Sequence, residues 1–188
     1  TDVNGCQVIE TIEIDGINNP MPQPIITATP QICEGGTIVL SIPEYNGVSV
    51  DYQWSLAGPN TNITGLNSNQ LTISPVTTAY AGDYSVKVTV DGCEITSPDY
   101  EVIIYDSPTI TAANDATECI DPMADLNLSS VPAGGVAPYT FEWTGPNGFT
   151  SQLQNPIVSN ITDANTGIYT ITVTDANGCS ATDEVNVI

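Results

Sequence analysis

The side chains of this sequence best suited to covalent chemistry are five cysteines, Cys6, Cys33, Cys93, Cys119 and Cys179. None lies in a CxxC pair, the spacing that zinc sites favour. A thiolate nucleophile needs a nearby base or cation, but the 188 residues include no His and a single basic side chain, Lys87. That composition excludes a Ser-His-Asp triad, a Cys-His dyad, an imidazole zinc ligand and an Arg or Lys phosphate clamp. Carboxylate chemistry is what remains, from 22 Asp and Glu residues that bring the net charge to −21. A glycosidic acid pair would need a cleft. Glu142 beside Trp143 is the one suggestive pair, and strand alternation turns Trp143 inward and Glu142 outward. No catalytic residue is therefore expected, and the chain reads as a non-enzyme.

An oxygen-ligand calcium site is the only cofactor the composition could accommodate. The candidate carboxylates are Asp115, Asp121 and Asp125, with Asp106 apart from them. No stretch matches an EF-hand loop, and the favoured reading is a solvated acidic surface that keeps the protein soluble, so no metal or other cofactor is expected. A chain with one basic residue cannot release counterions from a phosphate backbone, so nucleic acid is excluded as a partner. An anionic membrane surface would repel it, and no apolar run approaches the ~18 residues of a membrane span. Yet 40% of the residues are hydrophobic, enough to build packed cores and too many for a disordered acidic tail.

The elements that position these groups follow from period-2 alternation, the mark of half-buried strands. Tyr84, Val86, Val88 and Val90 share one face, as do Tyr169, Ile171 and Val173. Further faces are Val50, Tyr52, Trp54 and Leu56; Tyr139, Phe141 and Trp143; Ile38, Leu40 and Ile42; and Tyr100, Val102 and Ile104. No helix-length amphipathic stretch is present. Asp91-Gly92 and Asn177-Gly178 predict two-residue hairpin turns, in which both residues take positive φ.

The same features recur at one interval. Cys33 and Cys119 are 86 residues apart, as are Cys93 and Cys179, and the members of each pair Cys33/Cys93 and Cys119/Cys179 are 60 apart. Trp54 and Trp143, and Tyr84 and Tyr169, repeat at nearly the same distance, a period that suits a whole small domain. Thr1-Asp-Val-Asn-Gly-Cys6 echoes Thr174-Asp-Ala-Asn-Gly-Cys179. The expected organisation is the end of a preceding repeat plus a Pro-rich linker over 1–19, one domain over 20–106 and a second over 107–188. The start has no signal-peptide pattern and reads as the interior of a domain, so the chain is expected to be a segment of something longer, with Cys6 unpaired because its partner would lie upstream. Pro-rich Asn19–Pro24 and the short Asp106-Ser107-Pro108 favour a semi-rigid rod.

Gly134-Gly-Val-Ala-Pro-Tyr-Thr-Phe-Glu-Trp143, Asn160-Ile-Thr and the closing Gly167-Ile-Tyr-Thr-Ile-Thr-Val-Thr-Asp-Ala-Asn-Gly-Cys179 resemble SprB-type repeats of large cell-surface adhesins from gliding Bacteroidetes. Ile32-Cys-Glu-Gly-Gly36, Tyr52-Gln-Trp54 and Ala81-Gly-Asp-Tyr84 resemble the immunoglobulin-like repeats of the same surface proteins. The resemblance implies an all-β fold of two tandem immunoglobulin-like antiparallel sandwiches, each with one disulfide. Trp54, Tyr84, Trp143 and Tyr169 would be core residues. It also implies an extracellular, cell-surface location, long filaments and adhesion linked to gliding motility. The antibody pattern places its second Cys on strand F, where this chain has Val86 and Ile171. The expected staples, Cys33–Cys93 and Cys119–Cys179, therefore tie each sandwich at one end.

The function expected is a structural and adhesive repeat segment, whose partners are neighbouring repeats and, beyond them, external surfaces or polysaccharide. The alternative is a non-catalytic ligand- or carbohydrate-binding accessory module. Such a module should expose aromatic rings outside the core alternation, and Tyr45, Tyr80 and Phe149 are the candidates.

Overall fold

A computed structural model describes residues 21–28, 32–57, 63, 67–116 and 124–188. Among these residues the regular structure is all strand apart from three short 3-10 turns, Thr78–Tyr80, Pro146–Gly148 and Asp163–Asn165. Every strand pairing is antiparallel except Ile32–Cys33 with Ile104–Tyr105, which runs parallel.

The longest described strand, Gly82–Val90, organises the first half. Its β-branched and aromatic residues alternate with small polar ones, so the inward set Tyr84, Val86 and Val88 is fully buried. It pairs on one side with Val50–Ala57, which sets Trp54 opposite Val86 and Leu56 opposite Tyr84. On the other side it pairs first with Cys93–Thr96 and then with Tyr100–Val102. Ser97 bridges those two partners by accepting the Val86 N–H on its hydroxyl, at 3.0 Å. The facing sheet runs Thr27–Ala28, Ile38–Ser41, Gln70–Ile73 and contributes Ile38, Leu40 and Leu71. Together these form one hydrophobic cluster, drawn from residues between Ile26 and Ile104.

A second cluster repeats the scheme. Thr140–Thr144, Gly167–Thr174 and Ser180–Val187 pair in that order, with Thr150–Ser151 at the edge beside Thr140–Thr144. Trp143 stands opposite Ile171 and is wholly buried. The facing sheet is Thr109–Asn114, Leu126–Ala133 and Ile157–Val158, which buries Leu126, Leu128 and Val158. The two clusters share no residue.

Each cluster is pinned by two polar side chains that must bury. The Tyr84 hydroxyl donates to the Tyr80 carbonyl at 2.7 Å, and the Tyr169 hydroxyl to the Asn165 carbonyl at 3.0 Å. The indole N–H of Trp54 donates to Ser68 O at 2.9 Å and that of Trp143 to Gln154 O at 3.2 Å. Large rings can enter an apolar core because their single polar atoms find partners there.

The disulfide pairing expected from spacing is corrected. The bond joins Cys33 to Cys179, with Cα atoms 5.6 Å apart and a sequence separation of 146. Cys93 is exposed and free. Cys33 and Cys93 cannot meet, because the strand Gly82–Val90 separates them. The turn after Cys33 bonds to Val76, near the Gly82 end, through Gly35 N to Val76 O at 2.8 Å. Cys93 follows the turn at the Val90 end. The steps between its nine residues, at about 3.3 Å each, place these ends roughly 26 Å apart, whereas a disulfide needs Cα atoms within about 7 Å. A Cys119–Cys179 bond is ruled out because Cys179 is taken. Cys119, Cys6 and the segment 1–19 lie outside the described residues.

One hairpin is also corrected. Asp91 and Gly92 have φ of 51° and 89°, as a two-residue turn requires. Of Asn177 and Gly178 only Gly178 has a positive φ, 83°. The turn is longer there, closing between Thr174 and Ser180, because Asp175 organises it instead.

Candidate functional site at the junction of the two cores

Cys33 leaves the first sheet system at the end where the chain passes on to the second. Its short strand lies parallel to Ile104–Tyr105, and Glu34 N donates to Tyr105 O at 2.8 Å. The Ser107 hydroxyl donates to Glu34 O at 3.1 Å, tying the connecting segment to the same turn. The turn is tight. Gly36 N donates to Cys33 O at 3.0 Å, and a Cβ on Gly36 would lie 2.9 Å from that oxygen. Any side chain there would displace the backbone that aims Cys33.

Cys179 is held from the other side by Asp175. One carboxylate oxygen accepts the N–H groups of Cys179 and Asn177, each at 2.9 Å. The other accepts Val136 N–H at 2.9 Å. The Asp175 backbone N–H donates to Cys179 O at 2.9 Å. Burial raises the Asp175 pKa, but the N–H donors of Val136, Cys179, Asn177 and Gly178 outweigh it and hold the carboxyl below its usual range. Gly135 completes the seam. Its φ is 62°, and a Cβ there would lie 2.8 Å from Asp175 Oδ2 and 3.2 Å from Pro108. The disulfide thus sits where the turn after Cys33, held against the connecting segment at Tyr105 and Ser107, meets the Asp175 turn before the last strand of the second half, and Cys179 is fully buried.

The sequence contains a signal for Asp175 that alternation alone misses. Asp-x-Asn-Gly-Cys and Asp-Gly-Cys place an Asp shortly before each of Cys179 and Cys93. Asp91 accepts Ser49 N–H at 2.8 Å and Val48 N–H at 3.2 Å, so both halves use a turn carboxylate to clamp the loop leading into the Trp strand.

Of the sequence-derived site residues, Tyr84, Trp143 and Tyr169 are fully buried and Trp54 is 6% exposed. The three aromatic candidates for ligand stacking are engaged internally. Phe149 packs edge-on against Tyr169 with ring centroids 5.4 Å apart. Tyr80 leans on the first cluster and gives its carbonyl to Tyr84. Tyr45 also leans on that cluster and donates its hydroxyl to Pro22 O. Lys87 pairs with Glu94 at 3.1 Å. Asp115 accepts Asn127 N–H at 2.8 Å and its side-chain amide at 2.6 Å, and Asp125 accepts Asn160 N–H at 3.3 Å. Asp121 lies outside the described residues. Among the described residues no three His, Cys, Asp or Glu side chains gather to hold a metal ion. No helix among them is long and apolar enough to cross a membrane.

Residues 19–102 match a family described as a PKD-like domain. No curated protein matches the chain. Among solved structures, the N-terminal eight immunoglobulin domains of Down Syndrome Cell Adhesion Molecule match at TM-score 0.54 and 15% identity, over 88% of this chain and 27% of that one. The fold is immunoglobulin-like. Extracellular domains 3–5 of Drosophila OTK match at TM-score 0.49 and 14% identity, over 87% of this chain and 61% of that one. Three N-terminal domains of the Highly Immunogenic Outer Capsid protein of bacteriophage RB49 match at TM-score 0.43 and 14% identity, over 88% and 58%. The chain spans less than two thirds of each of these three.

Proposed function

We propose that this chain is a structural and adhesive segment of an extracellular surface protein, made of two immunoglobulin-like domains, 20–106 and 107–188, locked end to end. The observation that carries the reading is the Cys33–Cys179 bond, which connects residues flanking two separate cores. A disulfide inside one domain would staple its own core. One between domains fixes their relative placement, which a spacer needs and a free binding module does not. Such a bond persists in an oxidising, extracellular compartment. The role requires no catalysis, in keeping with a chain that has no His and one basic residue. On the resemblance to SprB-type repeats, our reading extends to a segment of a long filament of a gliding-associated adhesin, with like repeats as its neighbours.

The stacking alternative has less support, since Tyr45, Tyr80 and Phe149 all contact their own core. The test is non-reducing peptide mapping of the purified chain together with glycan-array binding. Recovery of a Cys33–Cys179 cross-linked peptide and no glycan signal is the expected result. A micromolar glycan hit lost on Tyr45→Ala, Tyr80→Ala or Phe149→Ala would replace the spacer with a binding module.

A further inference from the structure

We infer that the strand Thr140–Thr144 keeps an open edge at Phe141, and that this edge takes an extended segment of a partner protein, bearing a Lys or Arg, as an added strand. The inference rests on the adhesive part of the reading above and names the kind of partner it serves.

On one side all five residues of Thr140–Thr144 pair with Gly167–Thr174. On the other only Trp143 and Thr144 pair, with Ser151 and Thr150. Along an antiparallel strand, successive residues alternate in which neighbour they hydrogen-bond. Gly145 N donates to Phe149 O at 3.0 Å, so Gly145, Trp143 and Phe141 direct their N–H and C=O groups to the short-strand side. The far side agrees. Asp175 N donates to Cys179 O at 2.9 Å, so Val173 and Ile171 bond towards Ser180–Val187. Thr170, Thr172 and Thr174 are left to bond Thr144, Glu142 and Thr140. Phe141 therefore presents a donor and an acceptor where the short strand has already ended. The chain departs there because its next residues reach across to the facing sheet. Gln154 O accepts the Ser130 hydroxyl and Asn155 Oδ1 accepts Ser130 N–H, each at 2.9 Å.

The first half closes the same edge. The indole N–H groups of the corresponding Trp54 and Trp143 donate to Ser68 O and Gln154 O. That aligns Asn67 with Leu153, and Tyr52 with Phe141. Asn67 Oδ1 accepts Tyr52 N–H at 2.8 Å and caps the edge. Leu153 has no side-chain acceptor and is 65% exposed. Among the described residues no other group replaces the cap on Phe141. At the uncapped stretch lies an open cavity of about 410 Å³, lined by Tyr139, Phe141, Glu142, Gln152, Thr172 and Thr174.

Backbone pairing at such an edge gives affinity for an extended strand, and side chains choose which one. Glu142 is exposed at the cavity on a chain of net charge −21. A Lys or Arg set opposite it is favoured, and an acidic segment is repelled. A second copy of this chain cannot supply that cation. Its single basic residue, Lys87, lies in a strand paired on both sides and bonds to Glu94.

The test adds a short synthetic peptide of alternating Thr and Val, with a central Lys, to the full oxidised chain and follows amide hydrogen exchange. In the free chain the Phe141 amide should exchange fast, while those of Tyr52 and Glu142 stay protected. The peptide should protect Phe141 and leave Tyr52 unchanged. A peptide with Glu in place of Lys should bind more weakly, and Glu142→Lys should reverse that order. Leu153→Asn rebuilds the cap of the first half, and should weaken the Lys peptide about tenfold without lowering the thermal midpoint. A Phe141 amide as protected as that of Tyr52 in the free chain overturns the inference. So do equal affinities for the Lys and Glu peptides, or undiminished binding to Leu153→Asn. Protection of Phe141 that rises with protein concentration and needs no peptide makes the occupant a second copy and overturns it too. If Cys33–Cys179 is recovered while the peptide leaves Phe141 unprotected, this inference fails and the spacer reading stands. If the peptide protects Phe141 while Cys33–Cys179 is absent, the spacer fails and the open edge stands.

Discussion

Asp175 holds Cys179 by its N–H and its C=O, accepting the first on a carboxylate oxygen and donating its own N–H to the second, both at 2.9 Å. The cysteine that crosses between the two cores is thereby set by a residue four positions earlier. Asp183 performs a related task along the edge, accepting Ala112 N–H at 2.7 Å. That bond holds the Asp183 pKa low, as the Asn127 side-chain amide does for Asp115.

These depressed values set the acid limb of stability. A carboxyl with a folded pKa below its usual 3.8 is protonated first in the unfolded chain as pH falls. Its contribution is complete above about pH 4 and is lost as pH drops through the folded value. Thermal melts from pH 6 down to pH 2 should show the midpoint falling steeply below about pH 4. Asp175→Asn should have a lower midpoint at neutral pH and a shallower fall, since that variant has already lost the charge.

On the alkaline side, the buried Tyr84 hydroxyl has its pKa raised to about 12, by burial and secondarily by Tyr80. Burial raises Tyr169 as well. The unfolded chain loses these protons near pH 10 while the folded chain keeps them, so stability declines from about pH 10 towards pH 12. Tyrosinate absorbance followed alongside circular dichroism should show Tyr84 and Tyr169 ionising with unfolding. Ionisation of all eight tyrosines near pH 10 in a folded chain would refute the assignment.

Reduction should cost more than the loss of a short staple. Closing a 146-residue loop constrains the unfolded chain by about 5 kcal/mol in the chain-entropy account. Urea unfolding of the native chain against Cys33→Ser should show a loss approaching that value, and reductant should have little further effect on the variant. Equal midpoints would mean the bond contributes nothing to stability.

The two cores should respond separately. Trp143→Ala should destabilise the second cluster by about 3–5 kcal/mol, the usual cost of emptying a buried aromatic site. Trp54 then remains as the only indole and reports the first cluster, whose midpoint should stay within about 0.5 kcal/mol of its native value. A matching shift in the Trp54 signal would show that the clusters unfold as one body.

The strands and the inward residues were legible because period-2 alternation is a local property. Tyr84-Val86-Val88 and Tyr169-Ile171-Val173 announce their buried face without reference to anything distant. The cysteine pairing was not legible, since equal spacing says nothing about which end of a sandwich each residue reaches. Ala57 pairs with Asp83 near one end of the sandwich and Gln70 with Ser41 near the other. The sequence between them has no alternation from which that change of end could be read. Without it, Cys93 is counted to the same pole as Cys33. The Asn177-Gly178 turn misled for a similar reason, because the Asp175 carboxylate overrode a dipeptide preference through contacts with Val136 and Cys179.

The Cys33–Cys179 bond also decides where tension would travel if the protein were pulled by its ends. Force entering before Cys33 leaves through the sulfur atoms to Cys179, and the 146-residue loop containing nearly all of both cores carries no load. Only the segments outside that loop are strained, chiefly Ser180–Val187, which would peel from Gly167–Thr174. Single-molecule extension of the oxidised protein should therefore show peeling of the terminal strand and no release of the loop. Reduction should free a further length of roughly 500 Å, at about 3.5 Å per residue. Two bonds confined to their own domains would give two shortened unfolding steps; one bond across the junction turns the pair into a covalent tether with its folded parts slack beside it.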